Sequence, residues 1–538
     1  MAGLLVLYVL VAAPWPQLGC DEAAWATSAV KVLNGKVLGR DAMMAKGPYL
    51  LGWHLLVYVA TGPNVMALHL IGAAWALLTG VVVCLLALRF AGRTAMLATG
   101  LLYVAAVADP AVRANVYAEI IMALPLALGM IALAAGLNRG SFALVAAAGF
   151  CAGLAVLTKQ TAAFSALAMA VVVALTHCFA AGSGGYPRLR RGCGALRRIA
   201  RDWLALLAGG LLAALPWLVY VWQHRAGAGF MEDYVTTPTQ YVAAMDTPQL
   251  LANVAWSLAH VAPRYTFVLL ASVAGLGYLL KKVQTPGTHA CGVGATGEKH
   301  EGDGAEAIFY LALCAWYLSA LLGVAVTGRF AAHYFSQLFP PAALLGGIWI
   351  ADRLRDSTPG RLNIGALVLG AQVLVLVPVG VMNLGYWRNA TAVTAAGSPW
   401  RQVGEYVRDN TDPQETVFVW GDQTEVLYWA GRELASDQPW VTVQLLGFTH
   451  NRPVFASRIT AQIDWQRLRD ELDRWQPAYV VVAPVIQTVE LPLGEQFGTA
   501  QLPELRAILN RRYSYQTTIA GYELYARRAA RRPDGTLN

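Results

Sequence analysis

The chain has 538 residues, of which 57% are hydrophobic and only 13% are charged. A soluble domain carries roughly 25% charged residues, so this composition excludes an ordinary soluble protein and indicates a chain solvated mainly by lipid. The formal net charge of +8 does not indicate a nucleic-acid partner, because many arginines cluster between two apolar runs and no nucleic-acid motif accompanies them. The clustered arginines are Arg188, Arg190, Arg191, Arg197, Arg198 and Arg201.

Apolar runs long enough to cross a bilayer, about 20 residues each, recur along residues 1–385, which we expect to form a transmembrane domain. The first run lacks a basic region and an obvious cleavage site, which predicts a retained span rather than a signal peptide. Residues 47–60 are apolar but interrupted by Gly, Pro and His, which predicts an interfacial helix. We predict eleven spans, near residues 2–18, 65–88, 94–109, 117–137, 141–158, 160–181, 203–223, 264–280, 307–327, 335–351 and 362–383.

Basic residues orient these spans. With eleven spans the loops alternate sides, and most Lys and Arg residues fall on one side, which the positive-inside rule identifies as the cytoplasm. The basic residues on that side are Arg89, Arg93, Arg139, the 188–201 cluster, Lys281, Lys282, Arg353, Arg355 and Arg361. Nearly all other unusual polar groups fall on the opposite side. The sequence therefore predicts an extracytoplasmic site in a multi-pass protein of the inner (plasma) membrane. The loop 224–263 on that side is expected to be an aromatic belt or a lid.

From residue 386 the pattern changes to short helices alternating with short strands. This alternation predicts a small α/β domain over 386–538, and an odd number of preceding spans places it outside the cytoplasm. No phosphate loop, metal cluster or triad is recognisable in it, so we expect no catalytic residue there, and interpret Asp422 and Glu425 as a cap and a surface group. We predict helices at 400–410, 422–430, 464–475 and 502–513, strands at 416–421 and 478–483, and a hairpin-like pair over 515–527.

The first outer loop carries an unusual set of charges. Asp21 and Glu22 follow the first apolar run directly, and Arg40-Asp41 and Lys46-Gly47-Pro48 come before the chain returns to the membrane. Charges held at a bilayer surface are costly and by default mark a functional site. Further polar residues predicted on the same side are Glu119, Lys159, Arg329 and His333.

In their order, these motifs resemble those of the GT-C membrane glycosyltransferases that use polyprenyl-phosphate sugars, such as the bacterial aminoarabinose and protein O-mannosyl transferases. One departure is Lys46-Gly47-Pro48, where many relatives carry Lys-Pro-Pro. The resemblance rests on Asp21-Glu22, Gly35 to Asp41, Lys46 to Pro48, Glu119, Gly153 to Lys159, Gly328-Arg329-Phe330 with His333-Tyr334-Phe335, and Val417 to Gly421.

The resemblance implies transfer of a sugar from a polyprenyl-phosphate donor to a hydroxyl of a lipid, glycan or protein acceptor, with inversion. Because the departing phosphate is a stable anion, a general acid is unnecessary, but a carboxylate base and phosphate-binding cations are needed. Asp21 is implied as the base, and Lys46 and Arg329 as the phosphate clamp. Lys159 and His333 are further clamp candidates, and Glu22, Asp41 and Glu119 are candidates for positioning the acceptor or the cations.

Simpler interpretations remain for several of these residues. Lys159 fits a side chain that extends to the interface, His333 a hydrogen-bonded interfacial aromatic, and Glu119 a helix N-terminal acid. An envelope-glycan transporter or assembly protein without transferase activity is the alternative class. A cofactor is not established, but a divalent metal is an open alternative because Asp21, Glu22, Asp41 and Glu119 offer oxygen ligands. We expect an outward cavity, open laterally to lipid, that is lined by Asp21, Asp41, Lys46 and Glu119 and covered by the C-terminal domain.

Overall fold

The computed structural model describes residues 18–44, 46–109, 112, 115–182, 188–243, 245–284, 302–356, 363–395, 397–421, 423–437, 464–483, 499–500 and 502–528. The predicted span 2–18, apart from Leu18, lies outside the described residues, as does Asp422. Helices of the first part, numbered in chain order, are α1 (Cys20–Leu33), α2 (Pro48–Thr61), α3 (Val65–Val107), α4 (Ala118–Arg139), α5 (Phe142–Val156), α6 (Ala163–Gly182), α7 (Arg188–His224), α8 (Gly227–Met231), α9 (Thr237–Ala243), α10 (Thr247–His260), α11 (Ala262–Gln284), α12 (Gly302–Ala325), α13 (Phe339–Arg355) and α14 (Ile364–Ala395).

Most of these helices form an apolar bundle that fits a membrane. Within the described residues, six stretches are long and apolar enough to cross a membrane, and two shorter helices, Phe142–Val156 and Ile364–Leu374, are also apolar. Each of them overlaps at least one predicted span, which confirms a polytopic helical membrane protein. The count of eleven spans stays a prediction. The domain boundary at residue 385 also stays a prediction, and α14 runs past that residue. The six stretches are Val65–Val107, Ala118–Arg139, Gln160–Cys178, Gly194–His224, Ala262–Lys282 and Ala305–Ala325.

Helix α3 is two helices joined at a break, as the separate predictions of spans 65–88 and 94–109 require. Gly92 has φ 87°, a backbone conformation that is cheap only for glycine. The break frees the carbonyl of Ala91, which accepts a hydrogen bond from the Arg355 guanidinium at the end of α13. The turn at Gly92 and the end of α13 therefore lie at the same end of the bundle.

Further contacts group the predicted cytoplasmic charges at that end. The Lys282 amine lies 5.0 Å from the Tyr278 ring centre and 5.7 Å from that of Tyr310, and the Tyr278 hydroxyl donates to Asp352. These contacts join the end of α11, the start of α12 and the end of α13. Since consecutive helices run in opposite directions, the start of α4 and the α5–α6 junction lie at the other end.

Small residues let the helices approach closely. A Cβ added to Gly149 on α5 would lie 2.0 Å from the Leu206 carbonyl oxygen of α7, and one on Gly209 would lie 1.8 Å from the Ala146 oxygen. Such contacts are typical of membrane bundles, where association depends on packing because lipid supplies no hydrophobic drive between helices.

The connections at the end of the bundle that holds the start of α4 are helical. The predicted interfacial helix over 47–60 is α2, and the predicted loop 224–263 consists of α8, a π-helical turn (Glu232–Thr236), α9 and α10. The predicted span 335–351 corresponds to a 3-10 turn (Ala332–Gln337) followed by α13, whose first turn contains Pro340 and Pro341.

The C-terminal part is an α/β domain, as predicted. Among its described residues, five strands form one sheet in the order β2-β1-β3-β5-β4, with β2, β1 and β3 parallel and β5 antiparallel to both β3 and β4. Strands β1 and β3 are almost wholly buried, as expected for the parallel core of an α/β layer. The elements are α15 (Pro399–Asp409), β1 (Thr416–Trp420), α16 (Glu425–Ala430), β2 (Glu433–Leu434), α17 (Trp465–Trp475), β3 (Tyr479–Val482), α18 (Pro503–Arg512), β4 (Tyr513–Ile519) and β5 (Tyr522–Arg527).

This domain packs against α1 and α2. Tyr428 of α16 packs edge to face against Tyr58 of α2, with ring centres 6.5 Å apart. The Lys31 amine at the end of α1 donates to the Ser436 carbonyl oxygen at 2.5 Å. The two domains therefore share a packed interface made by α1, α2 and the segment around β2.

Glu471 on α17, only 8% exposed, gives this interface a pH dependence. Burial, with the nearby Asp437 charge, raises the pKa of Glu471 to about 7. The folded protein therefore holds a proton that the unfolded chain releases near pH 4.5, so stability falls as pH rises towards 7.

We expect Glu471→Gln to stabilise the C-terminal domain at pH 8, by up to roughly 3 kcal/mol at 1.36 kcal/mol per pKa unit, and to have little effect at pH 4.5. Thermal unfolding of the full-length protein in detergent at both pH values measures this. The matched control is Asp470→Asn, an exposed carboxylate on the same helix. An equal effect of Glu471→Gln at both pH values would contradict the assignment.

Candidate active site

A group of ionisable side chains, called the charged group below, lies at the end of the bundle opposite the Arg355 and Lys282 contacts. The group comes from the start of α1, the residue two before α2, the start of α4, the α5–α6 junction and the 3-10 turn before α13. Its members, which act on one another electrostatically, are Asp21, Lys46, Glu119, Lys159 and His333.

Glu119 and Lys159 form the buried centre of this group. Their side chains make an ion pair, and the two residues are only 1% and 5% exposed. The Lys159 amine also lies 4.4 Å from the centre of the Tyr334 ring. Burial lowers the pKa of Lys159, and the Glu119 carboxylate opposes that shift. Removing one partner would leave an uncompensated buried charge, which typically costs about 3–5 kcal/mol.

Asp21 lies in the first turn of α1, close to three charged side chains. Burial raises the pKa of its carboxyl; the positive charges of Lys46 and Lys159 oppose this, while Glu119 reinforces it. A carboxylate with a raised pKa is a stronger base than an ordinary aspartate, which suits proton abstraction near neutral pH.

His333 contributes a neutral ring to the group. It stacks on Tyr117, with ring centres 4.2 Å apart and planes 11° from parallel. Burial lowers the pKa of His333 to about 4, although Glu119 favours its charged form. At neutral pH the imidazole is therefore a hydrogen-bonding group and not a cation, which disfavours an electrostatic clamp role.

Glu22 has different partners from its neighbour Asp21. One carboxylate oxygen accepts from the Val116 backbone N–H at 3.0 Å, and the other lies 2.7 Å from His69 Nε2. The residue is fully buried. Its carboxylate therefore ties α1 to the segment that leads into Tyr117 and Glu119.

Asp41 also lies apart from the charged group. Its carboxylate pairs with Arg40 at 2.9 Å and accepts from the Val37 N–H at 3.0 Å. Arg474 of the C-terminal domain lies 4.0 Å away. This residue therefore belongs to the domain interface.

Arg329 is half-buried in the turn after α12, four residues before His333. Gly328, with φ 64°, forms this turn, and its carbonyl accepts from the Asn253 side chain of α10 at 3.1 Å. The turn therefore packs against α10, and Arg329 is not among the charges that shift the pKa of Asp21.

The Lys46-Gly47-Pro48 turn is bonded to the turn that carries Lys159. The Gly47 N–H donates to the Thr158 carbonyl oxygen, and the Tyr49 N–H donates to that of Leu157, both at 3.0 Å. A Cβ on Gly47 would lie 1.8 Å from the Leu157 oxygen. Proline would add that Cβ and remove the N–H, so this backbone arrangement requires the glycine where many GT-C proteins carry proline.

The sequence assigned no role to several residues that lie at the site. Tyr117 and Tyr334 frame His333 and Lys159, and buried Asp233 binds the backbone of Met44. Tyr334 could have been identified from the sequence, because it is adjacent to His333 within one motif. Asp233 had no such signal, because nearly 190 residues separate it from its partner.

The four carboxylates considered as metal ligands do not come together in one site, since Glu22 and Asp41 have other partners. Among the residues that the structure describes, no three His, Cys, Asp or Glu side chains are grouped so as to hold a metal ion. The outward cavity stays a prediction.

Comparison with known proteins identifies the fold. No protein-family model matches the sequence, and no curated protein matches it. The structure is similar to that of ArnT from Cupriavidus metallidurans bound to undecaprenyl phosphate, at 15% identity and a TM-score of 0.58 over 98% of this chain and 96% of that one. The apo state of the same protein matches at 14% identity and a TM-score of 0.51 over the same shares. The archaeal oligosaccharyltransferase AglB from Archaeoglobus fulgidus aligns at 12% identity and a TM-score of 0.48, over 100% and 74% of the chains.

These identities are low, so the likeness speaks for the fold alone. The chain shares the fold of ArnT, a helical membrane part followed by a smaller domain, which agrees with the fold class expected from the sequence.

We expect Gly47→Ala to displace the Lys46 turn, because its Cβ overlaps the Leu157 oxygen. Overpacking of this kind typically costs about 1–3 kcal/mol, measurable as a lower unfolding temperature in detergent. Gly52→Ala on α2 is the control, since a Cβ there meets no atom within 4 Å and helix propensity predicts a gain of about 0.5–1 kcal/mol. Equal stability of the two variants would contradict the close approach.

Proposed function

We propose that this protein is a glycosyltransferase that moves a sugar from a polyprenyl-phosphate donor to an acceptor hydroxyl on the extracytoplasmic face of the membrane. The observation that carries the proposal is the group of Asp21, Lys46, Glu119 and Lys159 at one end of a GT-C bundle. A base and cations, buried beside a membrane surface, are what this chemistry requires. The structural neighbour ArnT binds undecaprenyl phosphate, which supports a donor of that class.

In the proposed reaction, Asp21 takes the proton of the acceptor hydroxyl as its oxygen attacks the anomeric carbon. The bond from that carbon to the phosphate oxygen breaks, and the electron pair leaves with the polyprenyl phosphate. Lys46 and Arg329 stabilise the charge of the departing phosphate. Attack opposite the leaving group inverts the anomeric centre. Glu119 holds Lys159, and Lys159 adds to the positive potential at Lys46.

The orientation of the site is also part of the proposal. The clustering of Arg355 and Lys282 at the opposite end supports a cytoplasmic location for that end. The charged group and the α/β domain then face outwards from the inner (plasma) membrane. In that position the domain covers the site and takes part in selecting a lipid, glycan or protein acceptor.

A transporter is the weaker alternative. It should carry polar groups near the bilayer midplane that serve both faces. Here the buried Glu119–Lys159 pair lies at one end of the bundle, where a surface phosphate would bind.

Asp21→Asn is expected to lower transfer about 10²–10⁴-fold, the usual contribution of a general base, without lowering the unfolding temperature. The measurement uses purified protein, a panel of undecaprenyl-phosphate sugars and envelope-lipid acceptors. In the wild type, transfer should fall as pH drops through the raised pKa of Asp21, because the protonated carboxyl cannot accept a proton. Wild-type turnover by well-folded Asp21→Asn protein would exclude Asp21 as the base.

Arg329→Ala is expected to lower turnover about 10²–10³-fold, equivalent to roughly 3–4 kcal/mol of lost electrostatic stabilisation, with little loss of folding stability. Arg329→Lys should recover part of the activity, because it keeps the charge without the planar two-donor fork. Arg139→Ala, an exposed residue at the end of α4, is the control. Normal turnover in Arg329→Ala protein would assign the clamp to Lys46 and Lys159.

A further inference from the structure

Met43 and Met44, three and two positions before Lys46, are held by three separate parts of the molecule. The Met43 carbonyl oxygen accepts from the Ser28 hydroxyl of α1 at 2.9 Å. The Met43 N–H donates to the Asp437 carbonyl oxygen of the C-terminal domain at 3.0 Å. The Met44 N–H donates to the Asp233 carboxylate of the π-helical turn at 2.8 Å. We call Met43 and Met44 the joint.

The partner of Met44 is itself firmly placed. Asp233 is 4% exposed, and the next residue, Tyr234, is bonded to the segment around Lys159. The Gln160 side chain donates to the Tyr234 carbonyl oxygen at 2.7 Å, and the Tyr234 hydroxyl donates to that of Val156. The π-helical turn therefore bridges the segments that carry Lys46 and Lys159.

The partner of Met43 is tied down from the other side. Asp437 pairs with Arg474 at 2.6 Å, and the adjacent Ser436 carbonyl accepts from Lys31 at 2.5 Å. Lys31 is 1% exposed, and its amine lies 4.2 Å from the centre of the Trp475 ring. A charged amine buried this deeply needs such partners, so the 435–437 turn is anchored to α1.

We infer that the joint sets the place of Lys46, and that Asp233 and the 435–437 turn are its positioning residues. The role of Lys46 in phosphate binding rests on the proposed function, but the placement itself does not. One end of α1 carries Asp21 and the other carries Lys31, so the same contacts relate the base, the lysine and the C-terminal domain. The C-terminal domain is thus part of the donor site's framework.

Asp233→Ala tests this inference in the full-length protein in detergent. Three measurements apply: hydrogen exchange of the Met44 amide, labelling of Lys46 by a water-soluble amine reagent, and transfer kinetics. We expect faster Met44 exchange, a several-fold change in Lys46 labelling, and a loss of about 10- to 100-fold in kcat, because small displacements of a reacting group are costly. Asp233→Asn keeps an acceptor oxygen and should restore most of each value.

The matched control is Glu232→Ala, an exposed carboxylate beside Asp233, which should match the wild type in all three measurements. Lys31→Met removes the α1 anchor of the 435–437 turn and should accelerate exchange at Met43, which keeps the test decisive if Asp233→Ala protein fails to fold. Unchanged Lys46 labelling in both Asp233→Ala and Lys31→Met protein would overturn the inference. Absence of transfer by the wild type would refute the proposed function alone, since exchange and labelling need no substrate.

Discussion

The Glu119–Lys159 ion pair is the interaction on which the arrangement of the site depends. Each charge is almost completely buried, and each would be prohibitive there without the other. The pair fixes the start of α4 against the α5–α6 junction, and Tyr334 closes over the lysine. Its consequence for Asp21 is electrostatic, because Glu119 pushes the pKa of that carboxyl upwards while the two lysines pull it down. The site therefore places the Asp21 carboxyl beside two lysines, Lys46 and Lys159, with Glu119 pairing one of them.

Close backbone contact is the second constraint, and it explains a departure from the usual motif. The turns that carry Lys46 and Lys159 share two backbone hydrogen bonds, and Gly47 leaves no room for a side chain between them. The Lys-Pro-Pro pattern of the GT-C glycosyltransferases that the motifs resemble places proline there, which this arrangement does not accommodate. The two lysines are consequently held by backbone geometry, so their separation does not rely on side-chain packing alone.

The C-terminal domain enters this framework through α1. Glu22 anchors the start of that helix to Val116 and His69, while Lys31 anchors its end to the 435–437 turn. The adjacent carboxylates Asp21 and Glu22 therefore differ in their surroundings. Asp21 belongs to the charged group, whereas both oxygens of Glu22 contact Val116 and His69. The raised pKa of Glu471 at the same interface has a similar origin, since burial beside Asp437 disfavours its charge.

Hydrophobic periodicity by itself determined the membrane class, most helices and the α/β character of the C-terminal part, because runs of apolar residues have few other stable outcomes. The short strand β2 was missed, since two residues carry too little pattern. Span counting also placed Asp21, Lys46, Glu119 and Lys159 on one face. Only the tertiary structure decided which of the predicted site residues lie together. Glu22 and Asp41 do not join the charged group, because Glu22 contacts His69 and Asp41 pairs with Arg40. The tertiary structure also brings Asp233 and Tyr117 to the site. Such contacts between distant segments depend on helix packing and on the pairing of buried charges, and neither leaves a local signal in the sequence.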